Sequence, residues 1–347
     1  MRKKLFVNRK RFKLALWLIV GAALLLRLGV SFDLASANDG INSVVSPSQQ
    51  TDMATYMRLS NSVARGEYRG IFYYQPFYYA VFLPIIKLVF GNSIKAVFVI
   101  QSLLGAATVL LGGLCAAQLG GRLAGVITAV LLAFSSVLVL YTPFHLIAVL
   151  QSFWLILLLY LVLLALRRRR WFYWGVVGVI TGCSILTRGN GWFFVPGLLV
   201  LITYSQLRLD RERSRGVKIR HCLLVTGAFL FFLFLPQLPF IYHNTSVSGT
   251  LTGPSTAAGP VLALGNTPEA PPGGRNPDTY AGPMEYPVSY QVWMQGAQQR
   301  PIAYRIFDWF KKEPGAFLEL SFRKLLLFWD YREIPNNISS MGEGTQS

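Results

Sequence analysis

Seven apolar runs, each close to the twenty or so residues that carry an α-helix across a hydrocarbon core, recur along the chain at 14–32, 95–118, 123–141, 146–166, 171–186, 192–207 and 222–242. Inside a bilayer every backbone N–H and C=O must find its partner within the protein, which leaves helices or a closed barrel. Runs of this length read as helices. The predicted fold class is therefore an all-α polytopic membrane protein, with about seven transmembrane helices and amphipathic helices in its loops. Composition agrees, since 53% apolar and 14% charged residues exclude an ordinary soluble domain. The formal charge of +18 raises the question of a nucleic-acid partner. The Lys and Arg residues lie in short clusters between apolar runs rather than along a polar face, so no nucleic acid is expected and membrane lipids are.

Those clusters orient the chain. Seven basic residues precede the first run, Arg122 stands alone, four form Arg167 to Arg170, and six fall between Arg208 and Arg220. An N-terminus in the cytoplasm puts all of these on the inner side, in short segments, as the positive-inside rule requires. The alternative for the first run is a signal peptide with a cleavage site at Ala35-Ser36-Ala37. The organisation predicted is a transmembrane domain over 1–242, which includes a first extracytoplasmic loop at 33–94, and an extracytoplasmic segment over 243–347 with an interfacial helix at 315–329. A bacterial plasma membrane suits this layout. Cys115, Cys183 and Cys222 lie in or beside apolar runs, with no disulfide or zinc-ligand spacing.

The two long loops are too long to be mere connectors. In the first, Met53, Tyr56, Leu59 and Val63 share one face of a helix that begins near Asp52. An aromatic cluster follows at Phe72, Tyr73, Tyr74, Phe77, Tyr78 and Tyr79, read either as an interfacial belt or as a surface for sugar or lipid, with the belt preferred. The run 81–90 is too short to span, and 253–287, rich in Gly and Pro, is expected to hold no regular helix. Topology brings Asp52, Arg188 in the turn Leu186-Thr187-Arg188, and His243-Asn244 to one membrane face. Each has a plainer reading: Asp52 as a helix N-cap, Arg188 as an anchor that snorkels from a helix end.

The arrangement resembles the integral-membrane glycosyltransferases of the GT-C class, the broad family of protein O-mannosyltransferases and lipid A aminoarabinose transferases. The resemblance rests on Asp52, Tyr56, Gly66, Pro76, Phe90 and Gly91, on Leu186-Thr187-Arg188, on His243-Asn244 with Gly265-Asn266, and on Pro314, Gly315, Lys324, Trp329, Glu333 and Pro335. Many relatives carry a second acid where this chain has Met53 or Gln151, and further helices where it ends, so a C-terminally short member is expected. The resemblance implies a polyprenyl-phosphate sugar donor and a hydroxyl acceptor on lipid, glycan or protein. Asp52 would be the catalytic base. Arg188, Lys324 and His243 would bind the donor phosphate, and Tyr56, Tyr74, Asn244, Asn266 and Glu333 the substrates. No cofactor is evident and no dedicated metal site is required, although a divalent metal is left open. The competing functions are a transporter or flippase of lipid-linked sugar, and a non-catalytic relative that binds the same lipid. Carriers usually need ionisable residues or broken helices at mid-membrane, and only Arg27 lies inside a run.

Overall fold

The computed structural model describes residues 8–36, 44–47, 49, 51–168, 170–209, 214–273, 286–295, 297 and 300–329. Among these residues the regular structure is helical, with no strand. The chain divides into two compact units, Met1–Pro254 and Ser255–Ser347. In chain order the first holds α1 (Arg9–Ser36), α2 (Asp52–Ala64), α3 (Leu83–Phe90), α4 (Ile94–Gly120), α5 (Arg122–Ala133), α6 (Ser136–Leu140), α7 (Ala148–Arg168), α8 (Trp171–Thr187), α9 (Phe194–Tyr204), α10 (Arg215–Phe234) and α11 (Leu238–Ser248).

Four stretches are long and apolar enough to cross a membrane: α1, α4, α7, and the continuous rod Arg215–Ser248 formed by α10, a 3₁₀ turn and α11. The expectation of seven such spans is not met among the described residues. The run 123–141 is broken, because α5 stops at Ala133 and α6 restarts after Ser135, whose backbone is extended. The run 171–186 forms α8, only 17 residues long. The run 192–207 is a 3₁₀ turn, the 11-residue α9 and a π-turn, with Pro196 in the first turn of α9. At the other end, the last run continues as helix past its predicted limit to Ser248.

The broken third run is tied down by Arg27. Its guanidinium, buried inside α1, donates to the carbonyls of Leu132 and Ala133 at 3.1 and 3.2 Å and to Ala23 at 3.1 Å. Two of these are terminal carbonyls of α5, which have no helical partner and carry the negative end of the helix dipole. Gly105 on α4 makes the room: a Cβ there would lie 2.6 Å from Arg27 Nε. Small residues work similarly elsewhere. Gly178 and Gly182 on α8 let the backbone of α10 come so close that a side chain at either would run into the carbonyls of Phe229 or Leu233. Around this crossing Trp174, Val177, Ile202, Phe229 and Leu233 form the core of the helical half.

Before α3 the helix widens. The Leu83 N–H reaches back five residues to the Tyr78 carbonyl, forming a π-turn at Tyr78–Phe82 just ahead of Pro84. The widened turn accommodates a proline that has no N–H to donate. In the second unit, which holds α12 (Ala258–Gly265), α13 (Val288–Gln295), α14 (Ile302–Lys312) and α15 (Pro314–Phe328), the last three gather on Ala270, Trp309 and Leu320, and α12 lies against α14. Helix α12 corrects the expectation that 253–287 holds no regular helix. Its Pro260 sits in the first turn, where a missing N–H costs nothing. A helix does form where one was expected at 315–329, as α15.

Candidate functional site

The site grows from the start of α2. Thr51, with extended backbone, caps the helix by accepting from Ala54 N at 3.3 Å. Asp52 is the first helical residue and places its partly exposed carboxylate at the positive end of the helix dipole. The reading of Asp52 as the N-cap is thereby corrected, because the capping role falls to its neighbour. The predicted face of α2 is the one that packs. Met53 and Tyr56 are buried, and Leu59 and Val63 lie against the same aromatic core as Tyr78, Tyr79, Leu83 and Ile86.

Tyr56 links α2 to the aromatic segment. Its hydroxyl donates to the Gln75 side chain, and its ring stacks on Tyr74 with centroids 6.5 Å apart and planes 9° from parallel. Gln75 has φ of +51°, a left-handed conformation that costs a non-glycine residue about 1–2 kcal/mol. Strain of this kind persists where surrounding contacts hold it, and here the Tyr56 hydroxyl does so. The preference for an interfacial belt also gives way: Tyr78 and Tyr79 are fully buried, so most of the cluster is a core beneath the site. Tyr73, by contrast, is 41% exposed.

Electrostatics show which charged groups act on the tyrosines. Burial, then the field of Asp52, raises the Tyr74 phenol above its ordinary range, while Arg188 pulls it down. Tyr74 therefore feels both Asp52 and Arg188. Burial raises Tyr73 too, with Arg58 opposing and Asp52 adding to the shift. Burial followed by Asp52 raises Tyr56. Arg188 is the exposed C-cap of α8, whose last turn is braced against α7: Gln151 donates to Ser184 Oγ at 3.0 Å, and Trp154 Nε1 to Thr187 Oγ1 at 3.1 Å. Sequence reasoning singled out Gln151 only as a missing acid. Here it is the strut that fixes the helix end bearing Arg188.

His243 and Asn244, expected to touch substrate, reach the first loop instead. His243 Nε2 lies 2.9 Å from the Gly70 carbonyl, and its ring rests on Phe72 with centroids 4.6 Å apart. Asn244 is fully buried. Its oxygen accepts from Phe72 N at 2.7 Å, and its amide donates to Phe72 O at 3.0 Å and Gly253 O at 2.9 Å. The pair buckles α11 to the segment that carries Tyr73, Tyr74 and Gln75. In the second unit Lys324 Nζ donates to the Gly265 carbonyl and to Asn266 Oδ1, the latter at 3.0 Å, so these two predicted residues do meet. Glu333 lies outside the described residues. Among those described, no three His, Cys, Asp or Glu stand together as a metal site.

Gln75 escaped sequence reasoning, and Tyr73 was read only as one member of the aromatic cluster. A residue before proline normally avoids helical conformations and gives no hint of a left-handed one.

With Tyr74 and Arg188 placed, the comparison with known proteins is informative. Residues 74–240 match the dolichyl-phosphate-mannose-protein mannosyltransferase family. The family resemblance read from the sequence is thus borne out over a little less than half of the chain, and a membrane glycosyltransferase is what it supports. The match begins at Tyr74, includes Arg188, and leaves Asp52 and His243 outside. No curated protein matches the chain, and no solved structure does.

Proposed function

We propose that this chain transfers a sugar, of the mannose type handled by its family, from a polyprenyl-phosphate donor to an acceptor hydroxyl. The observation that carries the reading is that Tyr74, the first residue of the family match, lies in the fields of both the Asp52 carboxylate and the Arg188 guanidinium. In the reaction the acceptor oxygen bonds to the anomeric carbon, and the bond from that carbon to the phosphate oxygen breaks. Asp52 takes the hydroxyl proton, a role that contributes ~10²–10⁴ in rate. The polyprenyl phosphate leaves with the electron pair, and Arg188 stabilises its charge with a planar fork suited to phosphate. Direct displacement inverts the anomeric configuration.

The basic clusters support an orientation with the N-terminus in the cytoplasm and this chemistry on the outer face, as in a bacterial plasma membrane. Under this reading the broken run 123–141 and the short helices α8 and α9 complete the crossing with their flanking turns, for seven passes. The test is release of polyprenyl phosphate from polyprenyl-phosphate mannose by the full chain in nanodiscs. Wild type should release it and Asp52→Asn should fall by at least 100-fold. Equal rates in the two proteins would remove Asp52 from the chemistry.

A further inference from the structure

A second feature of α2 lies away from the tyrosines. Residues Ala54, Met57, Arg58, Asn61 and Arg65 recur at helical spacing and, with Ser62, Glu67 and residues 45–47 and 49, line an open cavity of about 770 Å³. Two arginines seven residues apart on one helix stand roughly 10 Å apart along its axis. Among the described residues neither forms an ion pair. Glu67 is the one carboxylate among the lining residues.

Lys87 on α3 sets the polarity of the cavity wall. Its ammonium donates to Asn61 Oδ1 at 2.5 Å and to Met57 O at 3.4 Å. An ammonium has only donors, so it fixes Asn61 with its oxygen toward Lys87 and leaves the NH₂ donors for the cavity that Asn61 lines. Burial, and then the field of Arg65, bring Lys87 down to about 8. The wall thus offers two guanidinium forks and an amide donor over a further cation. A wall of donors and positive charge suits a dianion.

We propose that this cavity seats a phosphate group carried by the acceptor of the transfer, held by Arg58 and Arg65 with Asn61 donating between them. The acceptor is then an anionic glycolipid or phospholipid rather than an uncharged hydroxyl compound. Arg58 follows Asp52 by six residues on α2, roughly 9 Å along its axis, and Tyr73 lies in the fields of both, so an acceptor anchored here is held close to the expected base. The acceptor role rests on the proposed transfer, but the anion site is testable without it.

The full chain in nanodiscs of zwitterionic lipid is titrated with radiolabelled phosphatidic acid, with inorganic phosphate, and with diacylglycerol as the neutral control. Wild type should retain phosphatidic acid and not diacylglycerol. The Arg58→Gln/Arg65→Gln variant should bind phosphatidic acid at least ~10²-fold more weakly, as the loss of two charge-assisted contacts implies, and retain polyprenyl phosphate unchanged. Retention of phosphatidic acid alone identifies a lipid-borne headgroup; retention of inorganic phosphate as well identifies the phosphate itself, and either supports the site. Arg58→Lys/Arg65→Lys, which keeps the charge and guards against misfolding, should fall between the two. Affinity within twofold of wild type in the Gln variant, or diacylglycerol binding as well as phosphatidic acid, overturns the proposal. Anion binding lost in the Gln variant of a chain that never releases polyprenyl phosphate would sink the transfer reading and leave the anion site standing.

Discussion

Asn244 offers the sharpest test of how the site is held. Its side chain makes three hydrogen bonds to backbone atoms, accepting from Phe72 N at 2.7 Å and donating to Phe72 O and Gly253 O at 3.0 and 2.9 Å. Asn244→Ala orphans all three groups, and each costs about 1–3 kcal/mol when left buried and unpaired. Water reaches part of this region, so the net loss is set near the low end, at ~3 kcal/mol. That corresponds to a fall in Tm on the order of 10 °C for a unit of this size. Asn244→Asp tests the chemistry more finely. The aspartate keeps an acceptor for Phe72 N but has no donor, and it turns a carboxylate toward two carbonyl oxygens. It should therefore be at least as damaging as alanine despite its identical shape. Thermal unfolding in detergent reads stability, and polyprenyl-phosphate release reads turnover, which should fall with it because Tyr74 and Gln75 follow Phe72 in the chain. An aspartate variant as stable as wild type would refute the assignment of donors and acceptors, and with it the buckle between α11 and the first loop.

Gly105→Ala places a methyl 2.6 Å from Arg27 Nε, and overpacking of this kind costs about 1–3 kcal/mol; Tm by differential scanning should drop by several degrees, and an unchanged Tm would show that Arg27 has another place to go. Tyr56→Phe removes the hydroxyl that holds strained Gln75, so turnover should fall about tenfold with little change in donor affinity, and a rise in KM alone would contradict a positioning role. His145 is buried with Nδ1 unpartnered among the described residues, and burial followed by Lys87 brings it from 6.5 down to about 4. Between these values the unfolded chain binds the proton and the folded one does not, so stability declines as pH falls from 6.5 toward 4 and flattens below, by ~3 kcal/mol in all. Denaturation against pH should lose this step in His145→Gln, and a step that persists would belong to another group.

How much of this was legible varies with the range of the interaction. The packed face of α2 could be read from Met53, Tyr56, Leu59 and Val63 because helical spacing is local. The cap was misread because Asp is the stronger capping residue in general and Thr also caps, and only the extended backbone at Thr51 decides between them. The break after Ala133 has no Gly or Pro to announce it, only Ser135 and Ser136, which an apolar run tolerates. Arg27 was visible as an oddity, but its partners lie 105 and 106 residues away. Asn244 was noticed as a polar pair-member near a helix end and taken for a substrate ligand. Its partner at Phe72 is 172 residues distant, and no local pattern signals that. Asp52 and Arg188 were assigned to one face from topology alone, whereas the fields both exert on Tyr74 depend on where the fold puts the aromatic segment.

The broken helix bears on the choice between an enzyme and a carrier. From the sequence the carrier was disfavoured because only Arg27 lies inside a run; the structure breaks the run 123–141 as well, and that same buried cation sits at the break. In carriers, half-helix ends leave backbone groups open to coordinate a moving ion or substrate. Here the terminal carbonyls of α5 are occupied by Arg27, which is wedged between α1, α4 and α5 with Gly105 shaped to receive it. A cation fixed by charge-assisted bonds to two helices in a buried setting resists rearrangement, since removing it strands both the charge and the carbonyls. The break is thus better explained as a stitched bend than as a gate. Stiffness here favours the proposed transfer, in which Asp52 and Arg188 would act from a fixed site, over a carrier, which must expose its site alternately to either side.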